Sequence, residues 1–506
     1  MKITLPPSPS LKGRGLGEGW NIKMKILIAA SEAVPFVKTG GLGDVTGALA
    51  NEYKKMGVEA ALILPFYRKI KKSAKDFGIK PLKKEITIPL GSRLETGKLW
   101  EGKTSEGATA YFIENDKFYD RDDIYGTPEG DFPDNVSRFT FYARAVCEAL
   151  KTLKLNFDVI HCHDWQTGLI PVYIKTLYMN DFSKTATLLT IHNIGYQGLF
   201  QSPDMPITGL GWELFNINGL EFYGKINFLK GGILFADIIN TVSKNYAKEI
   251  LTKEYGFGLD EVLKKRSKDL YGIINGIDYG EWGPEHDSLI PVNYSIEDLS
   301  GKVKCKKSLQ RECALPLSKS MLVGMVARLS SQKGINFVAE AMKEIIKLGL
   351  EVVILGKGDK FFQDILLDLQ KKYSRRLSVT IGFDDVLAHK IYAGADIFLM
   401  PSEYEPCGLG QLIALCYGTI PVGRKTGGIV DTISEYNPSK GTGTGFLFNG
   451  SSSEEFLITI KRANEFFNDK QHWVKIQKNA MSRNFSWRRS SEEYLSLYQK
   501  ALKKKY

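Results

Sequence analysis

Short apolar runs recur along residues 24–487, and most are followed by a segment with the apolar spacing of a helix. The runs lie at 25–30, 60–64, 110–113, 159–161, 187–191 and 237–241, then at 322–327, 351–355, 377–381, 397–400 and 419–422. This alternation predicts parallel strands joined by crossover helices. The runs are apolar on both faces, as strands must be when helices cover a sheet on both sides, so the chain is restricted to an α/β architecture. Gly, Ser, Asp and Asn collect just after the runs, beyond the carboxyl ends of strands, where open α/β sheets bind ligands.

The alternation breaks between 271 and 300, where Asn275-Gly276-Ile277-Asp278-Tyr279-Gly280-Glu281-Trp282-Gly283-Pro284 is rich in turn formers. A chain of 506 residues accommodates two or three domains. The expected organisation is a first domain over 24–272, a second over 273–487 and a terminal helix over 488–506 that returns to the first. Residues 1–23 are rich in Pro, Gly and Ser and read as a disordered leader, with Met24 the expected true start. A short echo links the two halves: Lys38-Thr39-Gly40-Gly41-Leu42-Gly43-Asp44 and Lys425-Thr426-Gly427-Gly428-Ile429-Val430-Asp431. Each stands before a helical pattern, as expected of two similar modules presenting backbone amides to a ligand.

Composition narrows the function. Hydrophobic residues make up 43% and charged residues 25%, ordinary for a globular protein, and no run approaches the length of a membrane span. The net charge of +11 is dispersed among acids, so it reads as a basic surface that attracts a small anion rather than as a nucleic-acid footprint. Lys503-Lys504-Lys505 reads as a solvated tail. The six cysteines, Cys147, Cys162, Cys305, Cys313, Cys407 and Cys416, contain no Cys-x-x-Cys pair, which points to a reducing, cytoplasmic compartment and to no structural zinc.

Four clusters carry chemistry. Glycines at 40, 41 and 43 let the backbone approach a ligand, and amides at the following helix start favour an oxyanion. Their spacing fits neither the dinucleotide fingerprint nor the phosphate-binding loop of nucleoside triphosphatases. Arg328-Leu329-Ser330-Ser331-Gln332-Lys333-Gly334, followed after the next strand by Gly356-Lys357-Gly358-Asp359, combines a guanidinium fork with a mobile ammonium, suited to a diphosphate. Ser402-Glu403-Tyr404-Glu405-Pro406-Cys407-Gly408-Leu409-Gly410-Gln411 places a carboxylate where sugar hydroxyls could donate to it, although an acid capping a helix gives the same pattern. Finally, His161-Cys162-His163-Asp164 puts two histidines on one strand face without further ligands for a metal, and Thr190-Ile191-His192-Asn193 repeats the theme of polar residues after a strand.

Together with His163-Asp164-Trp165, Asn240-Thr241-Val242-Ser243 and Asn275-Gly276-Ile277-Asp278, these motifs resemble the bacterial glycogen synthase and plant starch synthase family, in family order over 24–487. The resemblance implies a GT-B fold, two Rossmann-like doubly wound domains facing a central cleft. It implies transfer of glucose from ADP-glucose, or UDP-glucose, to the non-reducing end of an α-1,4-glucan with retention at the anomeric carbon. No cofactor or metal is implied, and no nucleic-acid or membrane partner. Carried over by motif, the catalytic set is His192, Arg328, Lys333, Glu405, Lys38 and Asp164. Arg328 and Lys333 would bind the donor diphosphate, which Lys38 would approach from the first domain, and His192 would lie against the transferred glucose. Substrate contacts fall to Thr39, Gly40, Gly41, Asp44, Asn193, Asn240, Tyr392, Cys407, Gly408, Gly410, Thr426, Gly427 and Gly428.

Two positions qualify the resemblance. Many retaining GT-B transferases carry a second Glu eight residues after the first, and here that place is Ile413, as in the glycogen synthase type. Family members more often have a bulkier or hydroxylated residue where Gly410 stands. The alternatives are a retaining GT-B enzyme acting on a small sugar or lipid, and a catalytically silent glucan-binding homologue.

Overall fold

A computed structural model describes residues 24–127 and 129–505. The leader expected over 1–23 lies outside the described residues. The chain divides into two compact units: residues through Ile273 together with the segment from Trp487, and Ile274–Ser486.

The first unit is built on nine strands, β1 (Lys25–Ala29), β2 (Glu59–Pro65), β3 (Lys80–Leu90), β4 (Arg93–Lys103), β5 (Thr109–Glu114), β6 (Val159–His163), β7 (Ala186–Ile191), β8 (Ile238–Thr241) and β9 (Leu270–Gly272). They lie in the order β9-β8-β7-β6-β1-β2-β5-β4-β3. The central strands pair in parallel, with Ile26 opposite both Ala60 of β2 and Val159 of β6. Every residue of β6 and β7 is buried. From β1 the chain runs outward through β2 to β5, then recrosses to β6 and continues to β9. Its direction therefore reverses between β1 and β6, and the loops beyond those two strands diverge.

The edge differs from the all-parallel expectation. β3 and β4 form an antiparallel hairpin that pairs antiparallel with β5. Only Ile86, Ile88 and Leu90 of β3 are buried, alternating with exposed residues. A strand covered on one face shows that alternation instead of a continuous apolar run, and its lysines protect a sheet edge from pairing with other chains. A small sheet of Leu199–Gln201, Glu221–Phe222 and Lys225–Asn227 was likewise not expected.

The C-terminal helix, Trp487–Lys505, belongs to this unit. Its buried residues include Trp487, Ser491, Tyr494, Leu495, Tyr498 and Ala501, one helical face. Tyr494, Leu495, Leu497 and Tyr498 are fully buried, each contributing roughly 1.5–3 kcal/mol of apolar burial. The seam also holds polar bonds. Tyr53 Oη donates to Tyr498 Oη at 3.1 Å, Tyr498 Oη lies 2.8 Å from His161 Nδ1, and Asn240 Nδ2 donates to Tyr494 Oη at 3.1 Å. Lys503–Lys505 form the last helical turn; Lys503 and Lys504 are exposed, as expected, and Lys504 pairs with Asp269 at 2.5 Å. Cations there complement the helix dipole.

The second unit has six parallel strands, β10 (Leu322–Val326), β11 (Glu351–Gly356), β12 (Leu377–Ile381), β13 (Ile397–Met400), β14 (Ile420–Arg424) and β15 (Phe446–Phe448), in the order β12-β11-β10-β13-β14-β15. The chain reverses between β10 and β13, repeating the logic of the first unit.

Tyr498→Phe keeps the buried ring but removes the hydroxyl between Tyr53 and His161. Leaving those partners unsatisfied costs about 1–3 kcal/mol, which should appear as a lower urea midpoint. Deleting 488–506 should expose the whole seam and yield aggregated protein in size-exclusion chromatography.

Candidate active site

In the first unit the site loops leave the carboxyl ends of β1, β6 and β7. Glu32, buried just after β1, organises the first of them. Its carboxylate accepts the Thr39 amide, Thr39 Oγ1 at 2.8 Å and the Gly40 amide at 3.3 Å, and Tyr125 Oη donates to it as well. Helix α1 (Gly41–Lys55) follows. Lys38 Nζ pairs with Asp44 Oδ1 at 2.8 Å, and burial raises Asp44 against the pull of that cation. The amide of Gly40 is thus held by an internal carboxylate. Space around Gly40 and Gly41 is open, with nothing among the described residues within 4 Å of where a Cβ would stand.

Beyond β6, Asp164 adopts φ 56° and its Oδ1 accepts the His192 amide at 2.7 Å, bracing the end of β7. A left-handed conformation at a non-glycine residue is a local cost that the hydrogen bond helps sustain. Burial pushes the Asp164 carboxyl up to about 7. The rings of His161 and His163 lie 4.0 Å apart on one strand face, and His163 Nδ1 sits 2.9 Å from His192 Nε2. Burial lowers all three histidines, His192 to about 3. Asn193 Oδ1 accepts the Gly195 amide at 2.9 Å, closing the turn after His192.

Three clusters meet in the second unit. The loop after β10 runs from Arg328 to Gly334 and leads into helix α2 (Ile335–Lys347). Gly334, at φ 69°, would bring a Cβ within 2.1 Å of the Pro401 carbonyl, so only glycine allows this loop to lie against the one after β13. The Glu403 amide donates to Gln332 O at 2.9 Å. Lys333 Nζ meets Glu405 Oε2 at 2.5 Å, and Ser402 Oγ donates to the same oxygen at 2.9 Å. The loop after β14 approaches as closely: Gly427, at φ 42°, would place a Cβ 1.9 Å from the Glu405 carbonyl, which accepts the Gly428 amide at 3.0 Å. Two short helices follow these turns, α3 (Gly410–Cys416) and α4 (Gly427–Thr432). Among the described residues no group of three or more His, Cys, Asp or Glu side chains could hold a metal ion.

Residues 25–265 match the starch synthase catalytic domain family, and 309–483 match glycosyl transferases group 1. The glycogen synthase of Thermosipho africanus is 47% identical over 95% of this chain and 100% of its own length. The chain belongs to the glycogen synthase family. That of Thermotoga maritima is 45% identical over 95% of this chain and 99% of its own. Among solved structures, the catalytic domain of starch synthase IV from Arabidopsis thaliana, bound to ADP and acarbose, matches at a TM-score of 0.86 with 30% identity, covering 95% of this chain and 99% of that one. Sucrose-phosphate synthase from Thermosynechococcus elongatus shares the fold at a TM-score of 0.58 and 15% identity, over 94% and 99% of the two chains. The fold is therefore the GT-B glycosyltransferase fold, and the chain is a glycosyltransferase.

Measured against the sites the family resemblance implies, the second unit brings Lys333, Glu405, Cys407, Gly408, Thr426, Gly427 and Gly428 into one loop cluster, with exposed Arg328 on the adjoining strand end. Gly410 fits its surroundings: a Cβ there would stand 2.9 Å from Phe398 and 3.3 Å from Tyr392 Oη, so that Phe398 ring occupies the room a larger residue needs. Tyr392 lies in the core, its ring stacked on Phe398 at 4.9 Å, and only its hydroxyl reaches towards α3. In the first unit Asn240 is not brought to the site loops. It is wholly buried between Thr190 and Tyr494, because the C-terminal helix covers β8. Two glycine amides expected to serve phosphate, those of Gly40 and Gly428, have internal acceptors instead. Sequence reasoning missed Glu32 and Ser402, the residues that hold the loops. An acid directly after β1, seven residues before a Thr-Gly-Gly turn, was the available signal for the first.

His161, His163 and His192 are neutral when folded but titrate near 6.5 when unfolded. Between about 6.5 and the depressed folded values the unfolded chain binds more protons, so stability falls as pH drops through that window. Asp164 opposes this, because its folded value near 7 lies above the unfolded value of about 3.9. Three groups outweigh one. The urea midpoint of wild type should fall steadily from pH 6.5 to 4.5, and His161→Gln should flatten that slope.

Proposed function

We propose that the chain transfers glucose from ADP-glucose to the non-reducing 4-hydroxyl of an α-1,4-glucan, with retention at the anomeric carbon. The observation that carries this reading is the cationic loop after β10, Arg328 to Lys333, locked against buried Glu405 where the second sheet reverses. Ligands of open α/β sheets bind at such reversals. The names of the relatives, and the ADP and acarbose in the starch synthase IV structure, support the choice of donor and acceptor.

Departure of the nucleoside diphosphate leaves growing negative charge on its phosphate and positive charge on the sugar. Arg328 offers a bidentate fork and Lys333 a point charge to that phosphate. Glu405 balances Lys333 before the donor arrives and, with Ser402, fixes where the ammonium stands, so little reorganisation is needed as charge develops. His192 lies against the transferred glucose in this reading. Asp164, by accepting the His192 amide, orients the turn whose carbonyl faces the sugar's positive charge. Burial pushes the Cys407 thiol up to about 12, so it remains a neutral thiol, unsuited to act as a nucleophile. We assign binding of the donor's nucleoside diphosphate to the second unit and the acceptor side, with His192, to the first, and we place the enzyme in a reducing cytoplasm, in keeping with its free cysteines. No helix among the described residues is long and apolar enough to cross a membrane.

Radiolabelled ADP-glucose and UDP-glucose, each offered with glycogen, with maltose and without acceptor, test the reaction. Label should enter glycogen, preferentially from ADP-glucose, and label found only in a small sugar or lipid would refute the proposal. Arg328→Ala and Lys333→Ala should each lower kcat about 10²–10³-fold, as loss of a preorganised charge-stabilising donor does. Arg328→Lys should recover only part, lacking the fork. Circular dichroism should be unchanged, and a raised KM at constant kcat would limit both side chains to substrate binding.

A further inference from the structure

The rings of His161, His163 and His192 lie against one another in succession in the first unit, and their proton positions follow from their hydrogen-bond partners. Tyr53 Oη donates to Tyr498 Oη, leaving the Tyr498 proton for His161 Nδ1 at 2.8 Å. His161 then carries its own proton on Nε2, which lies 2.7 Å from Thr190 Oγ1. The neighbouring pair is joined differently, through His163 Nδ1 and His192 Nε2 at 2.9 Å. Both rings are neutral, so the proton between them belongs to one or the other.

The surroundings of His163 decide which. Its Nε2 is buried and meets no hydrogen-bonding partner among the described residues. A proton there would be an orphaned buried N–H donor, while a bare lone pair at the same place is the lesser penalty. His163 therefore carries its proton on Nδ1 and donates to His192 Nε2. With Nε2 accepting, the proton of His192 is confined to Nδ1. The His192 ring, unlike His161 and His163, is only half-buried.

We propose that His163 is a positioning residue that holds His192 in the Nδ1–H tautomer, so that the ring presents a fixed N–H donor to a hydroxyl oxygen of the transferred glucose. The inference rests on the reading that places His192 against that glucose. A tautomer set by the bond at the far ring nitrogen is a general means of fixing a histidine's role. Here the partner is a second histidine on the neighbouring strand, itself wedged against His161 and, through Tyr498, against the C-terminal helix.

With six histidines in the chain, ring-15N labelling gives a spectrum simple enough to assign through single His→Gln variants. Wild type should show His163 and His192 protonated on Nδ1 and His161 on Nε2. A His192 protonated on Nε2 would overturn the proposal without recourse to any activity measurement. His163→Leu keeps volume and loses the donor, whereas His163→Asn places an amide where Nδ1 stood. In His163→Leu, His192 should shift towards the Nε2–H form, and kcat should fall about tenfold, the scale of one lost hydrogen bond, while KM for ADP-glucose stays within about twofold. His163→Asn should recover most of that kcat. Equal impairment of both variants, or unchanged kcat in His163→Leu, would reduce His163 to a packing residue. His192→Ala with wild-type kcat, alongside an Nδ1-protonated His192 in wild type, would instead overturn the placement of that ring against glucose, leaving the tautomer assignment intact.

Discussion

Each unit is governed by the reversal of its parallel sheet. Parallel strands need long crossovers that return every strand to the same starting edge, so all carboxyl ends, and the loops leaving them, collect on one side. Where the winding changes direction, two adjacent loops turn to opposite faces and leave room between them. In the first unit this happens between β1 and β6, and in the second between β10 and β13. Glu32, Asp164, Arg328, Lys333 and Glu405 all follow one of these four strands. The buried apolar strands beneath them hold those positions rigidly.

The loops are also held from within by their own carboxylates. Glu32 gathers Thr39 and Gly40, Asp164 holds the His192 amide, and Glu405 ties Lys333 to Ser402. A buried carboxylate is costly to desolvate unless its oxygens are bonded, and each of these meets the requirement by ordering a loop. The close glycine contacts at Gly334 and Gly427 serve the same end, since any side chain there would force the second unit's loops apart. Stability and site geometry therefore depend on the same contacts.

The central strands were legible because burial on both faces leaves continuous apolar runs, and the runs read at 377–381 and 397–400 coincide with β12 and β13. The hairpin of β3 and β4 was not, since a strand buried on one face and charged on the other is interrupted every second residue. Among site residues, Lys333 and Glu405 could be proposed from motif and position, but their mutual pairing could not, because 72 residues separate them. Asn240 illustrates the reverse. Its motif suggested a ligand contact, yet the seam with the C-terminal helix, more than 250 residues later, encloses it.

By itself the sequence determined the class of fold, the glycosyltransferase family and the strand ends where chemistry gathers, because those depend on local periodicity and on residues adjacent in the chain. Only the tertiary structure decided which amides remain for a ligand, which cation faces which carboxylate, and which ring nitrogens of His161, His163 and His192 face one another or a hydroxyl. These properties belong to pairs of atoms brought together by strand order, and their energies depend on burial that no single segment specifies.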